Sequence, residues 1–186
     1  MKAAYRRKHE GTTDYRKRLR LLIGGRPRVV IRRSLNHIGA QLVKFGPGGD
    51  EVLASAHSQQ IKKLGWKFGC GNIPAAYLTG MLLGMRIKGK VKESYLDIGR
   101  APSVKSSRIY ACAKGIQDSG VQLHLSPDVA PPEERIAGKH ISEHAAQAAG
   151  SGGRQFSQYI KNKADIRGLA QEVERMKAEI QKHGTA

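Results

Sequence analysis

The apolar positions of this 186-residue chain change period as it runs. In "PRVVIRRSLNHIGAQLVKF", residues 27–45, the β-branched run Val29, Val30 and Ile31 reads as a strand from about Arg28 to Arg33. Arg32, Arg33, Ser34, Asn36 and His37 interrupt it. Ile38, Ala40 and Leu42 then resume an alternation that predicts a second strand from about His37 to Phe45. The glycine-rich turn "GPGGD", residues 46–50, leads into "EVLASAHS", whose alternation sets Val52, Ala54 and Ala56 against Leu53, Ser55 and His57. Three strands with short links predict an antiparallel meander.

Helical spacing follows. In "GCGNIPAAYLTGMLLGMRIKG", Asn72 is an N-cap and Pro74 falls in the first turn. Ala75, Leu78, Leu82 and Met85 share one face, which predicts a helix over Ile73 to Arg86. "ESYLDIG" reads as a short buried strand. "SSRIYACAKGIQDSG" reads as a helix with Ile109, Ala113 and Ile116 on one side, and "VQLHLS" as another strand. Strand, helix and strand at this spacing predict crossovers that add parallel strands to the meander. The expected fold class is therefore α/β with a mixed sheet.

The two ends read differently. Residues 1 to about 14 look like an extended arm, and "DYRKRLRLLIGGRP" a helix of one to two turns closed by Gly24 and Gly25. Beyond Pro127, Pro131 and Pro132, a helix is expected over about Glu133 to Ala148, then a "GSGGR" link at 150–154. A last helix is expected over about Lys163 to Lys182, with Asn162 and Asp165 at cap-like spacing. Its stripe of Ile166, Leu169, Val173, Met176 and Ile180 is only two heptads long. It should dock on its own domain or a neighbour rather than form an extended coiled coil. The chain thus divides into a basic N-terminal extension (1–26), an α/β domain (27–130) and a C-terminal helical extension (131–186).

Charge narrows the function. The chain holds 33 Lys and Arg against 15 Asp and Glu, a net charge of +18. Such an excess points to a polyanionic partner, either nucleic acid or an anionic membrane surface. The membrane alternative is weak, because no run of 18 apolar residues exists. The N-terminus also lacks the apolar stretch of a signal peptide. Twelve basic and two acidic residues fall in the first 33 positions. A basic arm of this kind follows a phosphate backbone, which makes Tyr5, Arg6, Arg7, Lys8 and Arg26 candidate RNA ligands. So many like charges predict an arm that is disordered without its partner. Tyr15 beside Arg16, Lys17, Arg18 and Arg20 joins a stacking ring to phosphate ligands, a combination suited to RNA. Arg32 and Arg33 lie on opposite faces of their strand, so one can reach RNA while the other pairs with an acid. Ser34, Asn36 and His37 can donate to phosphate, 2′-OH or base edges; ordinary turn chemistry accounts for the Ser and Asn but not for the adjoining arginines.

Catalytic chemistry finds little support. Asp97, Glu93 and Asp118 are scattered, whereas a metal-dependent nuclease needs several converging carboxylates. An RNA-processing enzyme on an α/β scaffold remains the alternative function, and it requires such convergence near Asp97. His140 and His144 form HxxxH without a nearby third ligand, which fits one polar helix face better than zinc. The two cysteines, Cys70 and Cys112, suit a reducing cytosol, and Cys70 reads as a buried or loop thiol. "GCGN" lacks the lysine and hydroxyl of a nucleotide-binding loop. It is either an RNA-phosphate contact, with Trp66 and Lys67 just upstream, or a tight turn into the helix. No cofactor, metal or small-molecule substrate is expected.

Taken in order, "TDYRKRLRLL", "PRVVIRRSLNHIGAQLV", "LASAHS", "GWKFGCGNIPAAYLTG", "LDIG", "SSRIYACAKGIQDSG" and "PEERIAGKHI" closely resemble the archaeal and eukaryotic-type large-subunit ribosomal protein family L-eighteen. The resemblance covers most of residues 5–142. It implies a mixed α/β domain with a basic N-terminal extension, no enzymatic activity, and a place on the ribosome in the cytoplasm. The implied partners are 5S rRNA, the large-subunit rRNA and neighbouring large-subunit proteins, with the 5S rRNA anchored in the central protuberance. The matching positions imply that Tyr15, Arg16, Lys17, Arg18 and Arg20 contact rRNA, together with Arg28, Arg32, Arg33, Ser34, Asn36 and His37 of the hairpin. Trp66, Lys67 and Asn72 form a further implied RNA surface. Cys70 stands where many relatives carry threonine, and "GRAPSVKSSR" departs from the usual form at Arg100 and Lys105. The short C-terminal part fits the archaeal form.

Overall fold

The computed structural model describes residues 5–148, 156, 159 and 164–183. A meander of three strands opens the sheet: β1 (Arg28–Arg33), β2 (Ile38–Gly46) and β3 (Gly49–His57). Two short parallel strands extend it, β4 (Glu93–Asp97) beside β1 and β5 (Gln122–Leu123) beside β4. The order β3-β2-β1-β4-β5 is the mixed sheet that the sequence predicts.

One face of the sheet is apolar and covered. Val29 and Ile31 of β1 point there with Ile38, Ala40 and Leu42 of β2, and all five are buried. Against them pack α4 (Ile73–Ile87) and α5 (Arg108–Asp118). α4 starts where expected because Asn72 Oδ1 accepts from the Ala75 N–H at 2.9 Å, closing one free amide of the first turn. α4 and α5 approach closely. A Cβ on Gly84 would lie 2.6 Å from Cβ of Ser119, and Gly80 likewise faces the Cys112 backbone.

The last helix, α8 in chain order after α6 (Glu133–Ile136) and α7 (Lys139–Ala148), spans Leu169–His183. Its Leu169, Val173, Met176 and Ile180 are fully buried in the same core as α4 and β1. The stripe therefore docks on the chain's own core, as its length suggests.

Several boundaries differ from expectation, each for a local reason. The arm is not wholly extended: Arg6–His9 form a helical turn, α1, in which Glu10 pairs with Arg6 at 3.0 Å. α2 (Tyr15–Ile23) is longer than two turns because Asp14 caps it, accepting from the N–H groups of Arg16 and Lys17. A short helix α3 (Ser58–Lys63) follows β3 directly, started by His57 and Gln60 acting as a reciprocal cap. The alternation of β3 breaks where its register against β2 shifts between Leu42 and Val43, so Val52 pairs with Val43 and is exposed instead of joining Ala54 and Ala56. β5 keeps only two residues of the six expected. The helix expected over 133–148 is divided into α6 and α7 at Gly138, which holds φ of +82°. α8 begins at Leu169, since Asp165 Oδ1 accepts from the Arg167 N–H in a turn ahead of it. The "GSGGR" link and Asn162 lie outside the described residues.

Candidate nucleic-acid interface

The second face of the sheet carries Arg28, Val30 and Arg32 of β1 with Tyr95 and Asp97 of β4, which share register. Three guanidinium groups and two carboxylates join there. Arg28 is 1% exposed, and it donates to Asp97 Oδ2 at 3.2 Å and to Asp50 Oδ1 at 2.8 Å. Arg32 donates to the Asp97 carbonyl at 2.8 Å and to its Oδ1 at 3.3 Å. Arg18, reaching down from α2, donates to the other oxygen of Asp50 at 2.8 Å. The network ties α2 to the sheet. Burial acts to raise the Asp50 carboxyl, but the hydrogen bonds and charges of Arg18 and Arg28 outweigh it and hold the group below its ordinary value.

This network takes up the carboxylates near Asp97. Asp97 is engaged by two guanidinium groups and by the Gly99 N–H at 2.8 Å. Among the described residues, no group of three His, Cys, Asp or Glu is placed to hold a metal ion. Cys70 is buried, its thiol pushed up by burial, and it donates to the Ser58 carbonyl. Burial pushes Cys112 up to about 12. Both thiols are therefore packing groups rather than nucleophiles.

Beside the network, α2, the carboxyl ends of β1 and β4 and the start of α5 enclose a cleft of about 650 Å³. Arg7, Lys17, Arg18, Arg32, Arg33, Arg100 and Arg108 line it, against Asp14 and Asp97 alone. Several of these cations hydrogen-bond to carbonyl groups, with the Asp14 carboxylate close enough to Lys17 and Arg100 to interact with their charges. Lys17 Nζ donates to the Gly99 carbonyl at 3.1 Å, and Arg100 to the Gly11 carbonyl. Arg108 donates from one nitrogen to the carbonyls of Gly71 (2.8 Å), Leu35 (3.2 Å) and Ser34 (3.4 Å). These bonds fix the side chains without neutralising them, and Arg108 forms no ion pair among the described residues.

The hairpin tip is rigid. Ser34 N–H donates to the His37 carbonyl at 2.9 Å and His37 N–H donates to Ser34 Oγ at 3.0 Å. The "GCGN" turn abuts it: a Cβ on Gly71 would lie 2.9 Å from the Leu35 carbonyl oxygen. "GCGN" is thus a tight turn into α4 that also buttresses the tip, and Asn72 is occupied as the cap of α4.

The sequence-derived candidates sort by where they stand. Arg16, Arg20, Arg33, Asn36 and Lys67 are exposed, as are Tyr5, Arg7 and Lys8. The Tyr5 and Tyr15 rings stack on each other with centroids 5.0 Å apart. Arg6 pairs with Glu10, and Arg26 pairs with Glu93 at 2.7 Å while lying over the Tyr95 ring. His37 is half-buried, its Nδ1 3.1 Å from Ser58 Oγ. Two candidates stand inside rather than on the surface. Arg28 is buried in the carboxylate network. Trp66 is 3% exposed, packs edge-on to Phe68 and donates to the Gly69 carbonyl. Arg28 shares its face of β1 with the exposed Arg32, so alternation alone does not mark it as buried; the carboxylates of Asp50 and Asp97 enclose it, and an indole beside glycines is a core anchor as readily as a stacking platform. Sequence reasoning passed over Arg108. Its one signal is position: a cation at the first residue of α5 opposes the helix dipole, so some other contact must hold it there.

Charge is also polarised along the chain. Residues 118–186 contain nine basic and nine acidic residues, so the whole excess of 18 falls in residues 1–117. Among the described residues, no helix is long and apolar enough to cross a membrane.

A family model described as "Ribosomal large subunit proteins 60S L5, and 50S L18" matches residues 1–94, which hold the arm, the hairpin and α4. The "Large ribosomal subunit protein uL18" of Korarchaeum cryptofilum is 47% identical over 176 residues, covering 93% of this chain and 90% of that protein. The protein of the same description from Methanococcus maripaludis is 42% identical over 180 residues, covering 95% and 93%. The chain belongs to this family of large-subunit ribosomal proteins, which are structural components of the ribosome and not enzymes.

Proposed function

We propose that this chain binds 5S rRNA and helps attach it to the large-subunit rRNA in the central protuberance, using the arm, the hairpin tip and the cleft between them. The observation that carries this reading is the convergence, on one end of the fold, of cations that form no ion pair among the described residues. Arg7, Arg33, Arg100 and Arg108 meet there, and Arg16 and Arg20 continue the basic surface along α2. Phosphates would supply the missing anions and release counterions as they bind, which makes affinity strongly dependent on salt. A rigid tip of fixed donors suits folded RNA, which proteins recognise by shape and by unpaired segments. Neighbouring large-subunit proteins remain partners in this reading, with the charge-balanced C-terminal side facing them.

The test is a titration of the full chain against 5S rRNA with tRNA as competitor, over a range of salt. Changing Arg16, Arg20 and Arg33 together to alanine should weaken binding by more than about tenfold and lower the salt slope by about 2–3. Each of the three is exposed, so the fold should be unaffected. Binding that tRNA removes readily, and that ignores the triple substitution, would leave only a nonspecific polycation.

A further inference from the structure

Leu35 is 86% exposed, more than any other large apolar side chain described. A single exposed leucine is ordinary on a protein surface and by itself says nothing. What distinguishes Leu35 is its setting. It stands at the tip of the β1–β2 hairpin and at the rim of the 650 Å³ cleft, among Arg33, Arg32 and Arg108. Its backbone is held on both sides, by the paired bonds between Ser34 and His37 and by Arg108 on the carbonyls of Ser34 and Leu35. Gly71 fills the space behind it so closely that no side chain fits there. An apolar group is thus presented to solvent on a fixed backbone, so little further order is lost when something packs on it.

We propose that the cleft takes one unpaired nucleotide of the rRNA, with its phosphate among the cations and its base or ribose packed on Leu35. This rests on the RNA reading above and specifies which feature of the RNA is recognised. The cleft lies in the size range of pockets that enclose small molecules. A base-paired helix presents a broad, shallow minor groove and cannot enter such a space, whereas a splayed nucleotide can. The charge is complementary: seven cations and two carboxylates line the space, and Arg7 and Arg33 have no ionic partner among the described residues. Base faces are apolar enough to cover a leucine, and apolar wedges at nucleic-acid interfaces pack in this way.

The experiment uses the full chain, with transcribed 5S rRNA and, separately, large-subunit rRNA as probes, each with tRNA as competitor. The variants are Leu35→Ser, Leu35→Met, and Phe45→Ser as a control. Phe45 is also exposed but stands at the far end of β2. Leu35→Ser should weaken tRNA-resistant binding by about tenfold. The salt slope should not change, because Leu35 neutralises no phosphate. Leu35→Met should restore most of the affinity, and Phe45→Ser should match the unaltered chain. Base-specific chemical probing should show a nucleotide protected by the unaltered chain and reactive again with Leu35→Ser. Unchanged affinity and protection with Leu35→Ser would overturn this inference while leaving the functional reading intact. An unaltered chain that binds neither RNA against tRNA would overturn both.

Discussion

Arg108 and Lys114 stand on the same helix, six residues apart, and their charges are handled in opposite ways. Arg108 faces the cleft and donates to three carbonyl oxygens, which position it but do not neutralise it. Lys114 faces away and pairs with Asp118 one turn on, at 2.7 Å. The contrast extends to the regions around them. On the side of α6 and α8, Lys139 pairs with Glu134, Arg175 with Glu172 and Lys177 with Glu174. At the cleft, the carboxylates of Asp50 and Asp97 are taken up by Arg18, Arg28 and Arg32, Asp14 stands near Lys17 and Arg100, and among the described residues Arg7, Arg33 and Arg108 form no ion pair. One region closes its charges internally, and the other keeps them available for an external anion.

The sharpest way to separate the two regions is to damage the closed one. Leu169 of α8 is fully buried against α4 and the Gly138 break between α6 and α7. Leu169→Ala removes apolar contact and leaves a cavity, which should cost about 3–4 kcal/mol of stability. Denaturant unfolding should show this as a lower midpoint with an unchanged slope. Below the unfolding transition, the salt slope for RNA should be that of the unaltered chain. A changed slope would mean that α8 belongs to the RNA surface and that the division drawn here is wrong.

How far the sequence announces this arrangement depends on whether a feature is local. β1 is legible to the residue because Val29 to Ile31 are β-branched and Pro27 starts the strand. The start of α4 is equally legible, since the Asn72 cap and Pro74 act within one turn. The opposed faces of Arg32 and Arg33 follow from the two-residue period of a strand: Arg32 meets Asp97, and Arg33 is left open. What escapes is set by partners distant in sequence. Nothing near Arg28 reveals that Asp50 and Asp97 will enclose it. The shift of β3 is fixed by its pairing with β2, and Arg108 acquires its role only where the hairpin tip and the "GCGN" turn meet. The basic site is legible in kind from charge alone, but which arginines are structural depends on contacts across the sheet.

An intermediate effect is expected from the two cations of α5. Arg108→Ala removes three hydrogen bonds from the hairpin tip and should cost about 1–2 kcal/mol of stability. It should also weaken rRNA binding, with a salt slope lower by about one if the guanidinium meets a phosphate. Lys114→Ala loses one exposed i,i+4 pair, worth about 0.3–0.5 kcal/mol, and should leave the slope alone. Measured side by side, the two substitutions test whether neutral or acidic partners decide a cation's role. Equal slopes in the two variants would remove the basis of the comparison.

The smallest effect concerns the carboxylate that joins α2 to the sheet. Asp50 accepts from Arg18 and Arg28, and these partners hold its carboxyl below the ordinary 3.8 in spite of burial. A carboxyl lowered by folding contributes stability above its unfolded value, and that contribution is lost as pH falls through the folded value. Asp50 is a third exposed, so solvent screens the pair and the contribution should be below about 1 kcal/mol. The unaltered chain should therefore be slightly more stable than Asp50→Asn at pH 6, and the gap should begin to narrow near pH 3.8 and close as pH falls through the lower folded value, where the protonated acid and the amide are alike in charge. Comparing the two chains cancels the acid sensitivity of the other carboxylates. Thermal unfolding at both pH values reads the gap. A gap of the same size at pH 3 would mean that Asp50 acts through the shape of the β2–β3 turn and not through its charge. The arm would then be held by Lys17 on the Gly99 carbonyl more than by the carboxylate beneath it.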